Sequence, residues 1–80
     1  MAQSLGLRKQ SFTLAGHRTS VALESEFWDA LVAMAAARDM ALSALVAEVD
    51  AARAPDQPLA SALRVAALLH SARAAPPASG

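Results

Sequence analysis

The sequence predicts a mostly helical domain with a short β element. Three observations predict it: polar and apolar residues alternate up to Leu23, the spacing switches to that of a helix at Glu24, and a break at Asp39 precedes a second helical stripe. Eighty residues suffice for one domain, but so short a chain buries a low fraction of its surface, so a staple or a partner is expected. The absence of cysteine removes disulfides, thiolate zinc and a thiol nucleophile. Self-association is then the expected source of the missing core: a single copy is expected to hold too little apolar interior to stand alone.

Residues 1–7 carry no pattern and are expected to fray. From Arg8 to Leu14 the chain alternates, with Lys9, Ser11 and Thr13 on one side and Phe12 and Leu14 on the other. Ala15-Gly16-His17 can turn, and from Arg18 to Leu23 the alternation resumes. Arg18, Ser20 and Ala22 face one way, and Thr19, Val21 and Leu23 the other. No internal repeat is evident.

At Glu24 the period changes. Phe27, Leu31, Met34 and Ala35 form a helix stripe that Trp28 and Val32 widen, while Glu24, Glu26 and Asp29 lie in or near the first turn, where the helix dipole favours negative charge. This helix is predicted to end near Arg38, with Asp39 where a left-handed capping residue is wanted. Met40 and Leu42 lead into Leu45, Val46 and Val49, a second helix predicted to run through Arg53. Residues 54–58, with two prolines, read as a linker, and Pro58 is well placed to open a third helix over 59–73. Leu59, Leu63, Ala66, Leu69 and His70 share one face of that helix, and the tail 74–80 is expected to be disordered.

Net charge is zero, which by itself argues against strong non-specific attraction to phosphate. The distribution matters more: Arg8, Lys9 and Arg18, with His17 between them, are unaccompanied by any acid through Ser20, and every carboxylate follows. A basic arm precedes an acidic body. The two histidines are too far apart for ligand spacing, Ser20, Ser25 and Ser43 lack an attendant base and acid, and Gly6 and Gly16 are isolated. Neither an enzyme, a cofactor nor a metal is expected. No run approaches the roughly 18 apolar residues of a membrane span, and the N-terminus lacks the basic-then-apolar order of a secretion signal, so no membrane contact and a cytoplasmic location are expected.

The order of strand, helix, tight turn and helix resembles the Arc and MetJ type of repressor, the ribbon-helix-helix family. The likeness rests on Thr19-Ser20-Val21-Ala22-Leu23, Phe27, Leu31, Met34-Ala35, Asp39-Met40 and Ser43-Ala44-Leu45-Val46. A narrower resemblance, to small uncharacterised bacterial ribbon-helix-helix proteins, adds Arg8-Lys9, Gly16-His17-Arg18, Phe27-Trp28-Asp29-Ala30-Leu31 and Ser61-Ala62-Leu63-Arg64-Val65. The resemblance implies an intertwined homodimer whose strands pair antiparallel between two chains, forming a ribbon that enters the major groove. It places Arg18, Ser20 and Ala22 toward bases, and the helix start at Ala41, Leu42 and Ser43 toward a backbone phosphate. Val21, Leu23, Phe27, Trp28, Leu31, Leu45, Val46 and Val49 fall in the expected dimer core. The layout expected is a basic N-terminal arm or extra strand over 1–17, a core over 18–53, the linker, the third helix and the tail.

Two departures bear on this. Ala41 stands where the family usually has a serine or threonine cap, and Ala22 can touch a thymine methyl but cannot donate a hydrogen bond. Arg8, Lys9 and His17 are further candidates for phosphate contact, His17 competing with a role in local hydrogen bonding. Should Gln10–Leu14 fold back beside Arg18–Leu23, the dimer sheet would have four strands about 4.8 Å apart, too wide to enter the roughly 12 Å groove face-on. The partners expected are a second copy, double-stranded DNA and, through the third helix, a protein. The leading functional expectation is a sequence-specific transcription regulator. The alternative is an antitoxin- or adaptor-like interaction module with weak or no DNA binding.

Overall fold

A computed structural model describes residues 6–74. Two strands, β1 (Arg8–Leu14) and β2 (His17–Leu23), precede three helices: α1 (Ser25–Ala37), α2 (Leu42–Ala52) and α3 (Leu59–Ala74). The expectations for residues 1–5 and 75–80 lie outside the described residues.

The strands form an antiparallel hairpin in register from Arg8 opposite Leu23 to Leu14 opposite His17. The turn is Ala15-Gly16, with φ of 51° and 83°. Positive φ at both central residues is the requirement of the two-residue turn whose twist matches the strands, and glycine meets it freely whereas alanine does not. The N-terminal segment, expected as an arm or an extra strand, is thus the strand β1, which a two-residue turn brings directly onto β2. Ala15→Asn, which supplies the Asn-Gly pair this turn favours, is expected to raise stability by about 0.5–1 kcal/mol. Urea denaturation of the two proteins checks this.

One face of the hairpin is apolar. Phe12, Leu14, Val21 and Leu23 are buried on it, and the helices cover them. Within α1 the buried residues are Trp28, Leu31 and Ala35, while Phe27 and Met34 are half-buried and Val32 is exposed. The stripe is thus centred further toward Trp28 than the sequence pattern suggests. The cause is a tie to the sheet: the indole N–H of Trp28 donates to the Arg8 carbonyl at 2.7 Å, and its ring lies 6.0 Å from that of Phe12.

The reversal after α1 follows from hydrogen bonding at its end. Asp39 takes φ 55°, its N–H donates to the Ala36 carbonyl, and the Met40 N–H donates to the Ala35 carbonyl. This is the two-bond helix stop that a left-handed residue makes possible. The axes of α1 and α2 then differ in direction by 100°. Leu45 and Val46 of α2 are fully buried, Val49 is half-buried, and an exposed bidentate pair of Arg38 with Glu48, at 2.7 and 2.9 Å, joins α2 to the end of α1.

Helix α3 closes the core through Ala62, Leu63 and Ala67. The face expected around Leu69 and His70 is displaced: Leu69 is 55% exposed and His70 half-buried. Small Ala62 and Ala67 let the backbone of α3 come close to its neighbours, and the helix turns that side inward. Arg64 fixes the rotation by donating to the Glu24 carboxylate at 3.0 Å and laying its guanidinium 5.8 Å from the centre of the Phe27 ring.

A single chain thus encloses Trp28, Leu23, Leu31, Leu45, Leu63 and Val46 completely. The flanks of the 18–53 segment add to this interior. Strand β1 contributes Phe12 and Leu14, and α3 contributes Ala62, Leu63 and Ala67. Val21, Leu23, Trp28, Leu31, Leu45 and Val46, assigned from the sequence to a dimer core, lie in the interior of one chain. Phe27 and Val49 border it.

Candidate nucleic-acid interface

The opposite face of the hairpin is polar. In an antiparallel pair, directly opposed residues share a face, so the register assembles Lys9 with Ala22, Ser11 with Ser20 and Thr13 with Arg18 on the side away from the core. Arg18 and Ser20 are exposed and Ala22 is half-buried, and the expected base-facing trio lies together on one surface. Lys9, expected to contact phosphate, lies on the same surface, and Ser11 and Thr13 join it. The Ser11 and Ser20 hydroxyls are 3.0 Å apart at the centre.

Lys9 and Arg18 carry the charge of this face, while Arg8, opposite Leu23, falls in the register of the other face and is exposed at its edge. Residues 6–23 contain Arg8, Lys9 and Arg18 and no acid. Among the described residues these three cations have no carboxylate partner, whereas Arg38, Arg53 and Arg64 pair with Glu48, Asp50 and Glu24. Three of the four arginines that follow the hairpin are thus paired with acids, so zero net charge hides a positive hairpin on an acidic support. Glu24 lies below the usual carboxylate range, first through a backbone hydrogen bond and then through Arg64, and Glu48 is lowered by Arg38. These acids stay ionised and engaged with the helices.

His17 is exposed at the first position of β2, opposite Leu14, and so belongs to the register of the other face. At the start of α2, Ala41 is the N-cap and gives no side-chain hydrogen bond. The Ala44 and Leu45 amides bond back to the Ala41 carbonyl, while the Leu42 and Ser43 amides have no acceptor among the described residues. Ser43 is exposed and its hydroxyl does not replace the missing cap.

A groove of about 640 Å³ runs between the helices, lined by residues that include Met34, Val49, Val65, Leu69 and His70. Among the described residues no group of three or more His, Asp or Glu side chains could hold a metal ion. No single helix there is long and apolar enough to cross a membrane.

Ser11 and Thr13 share this face, although the sequence reading assigned them no contact. Their alternation places them on a polar face, but only the register shows that this face is continuous with that of Arg18 and Ser20. Comparison with curated proteins and with solved structures gives no significant match. A family model described as a ribbon-helix-helix domain matches residues 7–71, from just before β1 to near the end of α3. With a two-stranded antiparallel ribbon leading into helices over that span, the chain belongs to the ribbon-helix-helix domain family.

Proposed function

We propose that the protein is a DNA-binding transcription regulator that reads the major groove with the outer face of its hairpin. The observation that carries this reading is the composition of that face: two cations with no carboxylate partner among the described residues, three hydroxyl side chains and one alanine, with no acid. Arginine and lysine suit the acceptor edge of guanine, hydroxyls accept or donate at any base pair, and alanine fits a thymine methyl. Strands about 4.8 Å apart make a ribbon narrow enough for a groove roughly 12 Å wide. Arg8 and the uncapped amides of Leu42 and Ser43 are available to backbone phosphates. A homodimer in which each chain keeps its own hairpin would place one ribbon in each of two successive major grooves, about 34 Å apart.

Selection from random duplexes, followed by fluorescence anisotropy across a salt series, tests the reading. A preferred site is expected, with affinity falling steeply in salt. Arg18→Ala is expected to weaken binding to that site by about 5- to 150-fold, equivalent to about 1–3 kcal/mol, and to relax the preference at one position. Recovery of no preferred site, with binding unchanged by Arg18→Ala, would sink it.

A second reading, an interaction module with weak or no DNA binding, draws on the exposed Val65, Leu68 and Leu69 of α3. It requires indifference to DNA even at low salt, which the same titrations measure.

A further inference from the structure

Helix α3 is apolar on two sides. Ala62, Leu63 and Ala67 are buried on the inner one, while Val65, Leu68 and Leu69 are exposed on the outer one. A helix apolar over so wide an arc calls for a cover on its free side. Part of that side lines the groove of about 640 Å³ between the helices, a volume within the roughly 300–1,000 Å³ typical of small-molecule sites. All three helices build its apolar floor: Met34 comes from α1, Val49 and Ala52 from α2, and Val65, Ala66 and Leu69 from α3. The groove follows α3 from Ala62 to Arg73, about 16 Å at the helical rise of 1.5 Å per residue. Its rim is mostly basic. Arg38, Arg53, His70 and Arg73 line it against one carboxylate, that of Glu48. Arg38 and Glu48 satisfy each other, and Arg53 is engaged by the Asp50 carboxylate and the Gln57 carbonyl, both at 2.8 Å. Arg73 is the lining cation left without a carboxylate partner among the described residues, with His70 one turn before it on the same face.

We propose that this groove binds an amphipathic organic acid, a medium-chain or aryl monocarboxylate. The apolar body lies along the floor and the carboxylate meets Arg73. Charge selects this occupant. A long apolar floor with one uncompensated cation at its end suits a molecule with an apolar body and one negative group, because each part then meets its complement and no polar atom is buried alone. A second copy of α3 suits it poorly. That helix carries Arg64, His70 and Arg73 and no acid, so laying it against its twin would bring like charges together. Among the described residues none from the hairpin lines the groove, and the site stands independently of the DNA-binding reading.

Titration of the full chain with decanoate, below its micelle-forming concentration and followed by backbone amide chemical shifts, tests the proposal. Saturable binding is expected, with shifts centred on Val49, Val65 and Leu69 rather than on Phe12 and Val21 of the hairpin. Decyltrimethylammonium keeps the chain length and reverses the charge, and is expected to bind about 5-fold more weakly or worse. Arg73→Gln is expected to weaken decanoate binding by about 3-fold, an effect that added salt diminishes, and Leu69→Gln by about 5-fold or more. Both side chains are exposed, so the fold survives either change. Absence of decanoate binding, equal binding of the cation, indifference to Arg73→Gln, or shifts confined to the hairpin would each overturn the proposal. So would sedimentation showing a concentration-dependent assembly that Leu69→Gln dissociates, because a second copy would then cover the groove.

Discussion

Trp28→Ala is expected to lower folding stability by about 3–5 kcal/mol, as removal of a large buried aromatic ring does. A domain of this length has only about 4–12 kcal/mol of stability in total, so the loss removes a large share of it. Trp28 is 2% exposed, its ring packs at 6.0 Å against Phe12, and its N–H donates to the Arg8 carbonyl. The substitution therefore opens a cavity under the sheet and also strips β1 of its tie to α1. Trp28→Phe separates the two effects: it keeps most of the ring but leaves the partly buried carbonyl without its donor, at a cost of about 1–3 kcal/mol. Denaturation in urea, followed by far-ultraviolet circular dichroism, measures both. A loss below about 1 kcal/mol for Trp28→Ala would mean that β1 does not lie on α1 as described.

The β1 placement also marks where the sequence stops being informative. Alternation over Arg8–Leu14 and Arg18–Leu23 showed two strands with matched polar faces, and Asp39 showed where the chain reverses, because each is a local property of backbone and side chain. Which strand lies beside which is not local. A strand of this pattern satisfies its hydrogen bonds equally well against its own neighbour or a second copy, and the choice turns on whether Ala15-Gly16 closes tightly. Long-range ties were beyond reach as well. Glu24 and Arg64 are 40 residues apart, and nothing in either neighbourhood points to the other. The face of α3 was misjudged around Leu69 because alanines dominate that helix. Burial of Ala62 and Ala67 reflects how closely two backbones approach, which periodicity of large side chains does not report.

The candidate site was legible in its chemistry but only half legible in its extent, and one substitution tests the whole of it. Ser20→Glu is expected to weaken DNA binding by about 100-fold or more while changing stability by no more than about 0.5 kcal/mol. The side chain is exposed at the centre of the outer face, opposite Ser11, so a carboxylate there meets no packed neighbour and leaves the core untouched. Against DNA the same carboxylate lies where the phosphates and acceptor edges of the groove are closest, between Lys9 and Arg18. It both repels the duplex and neutralises the cations beside it. Ser20→Ala removes only a hydroxyl and is expected to cost about 10-fold or less, so the pair distinguishes charge from lost hydrogen bonding. Anisotropy with a fixed duplex, repeated at two salt concentrations, gives the comparison, and the defect of Ser20→Glu should shrink as salt screens it. A folded Ser20→Glu protein that binds as tightly as the parent would place the DNA contact elsewhere than on this face. The polar side of the hairpin would then be only the solvated back of a core that one chain completes.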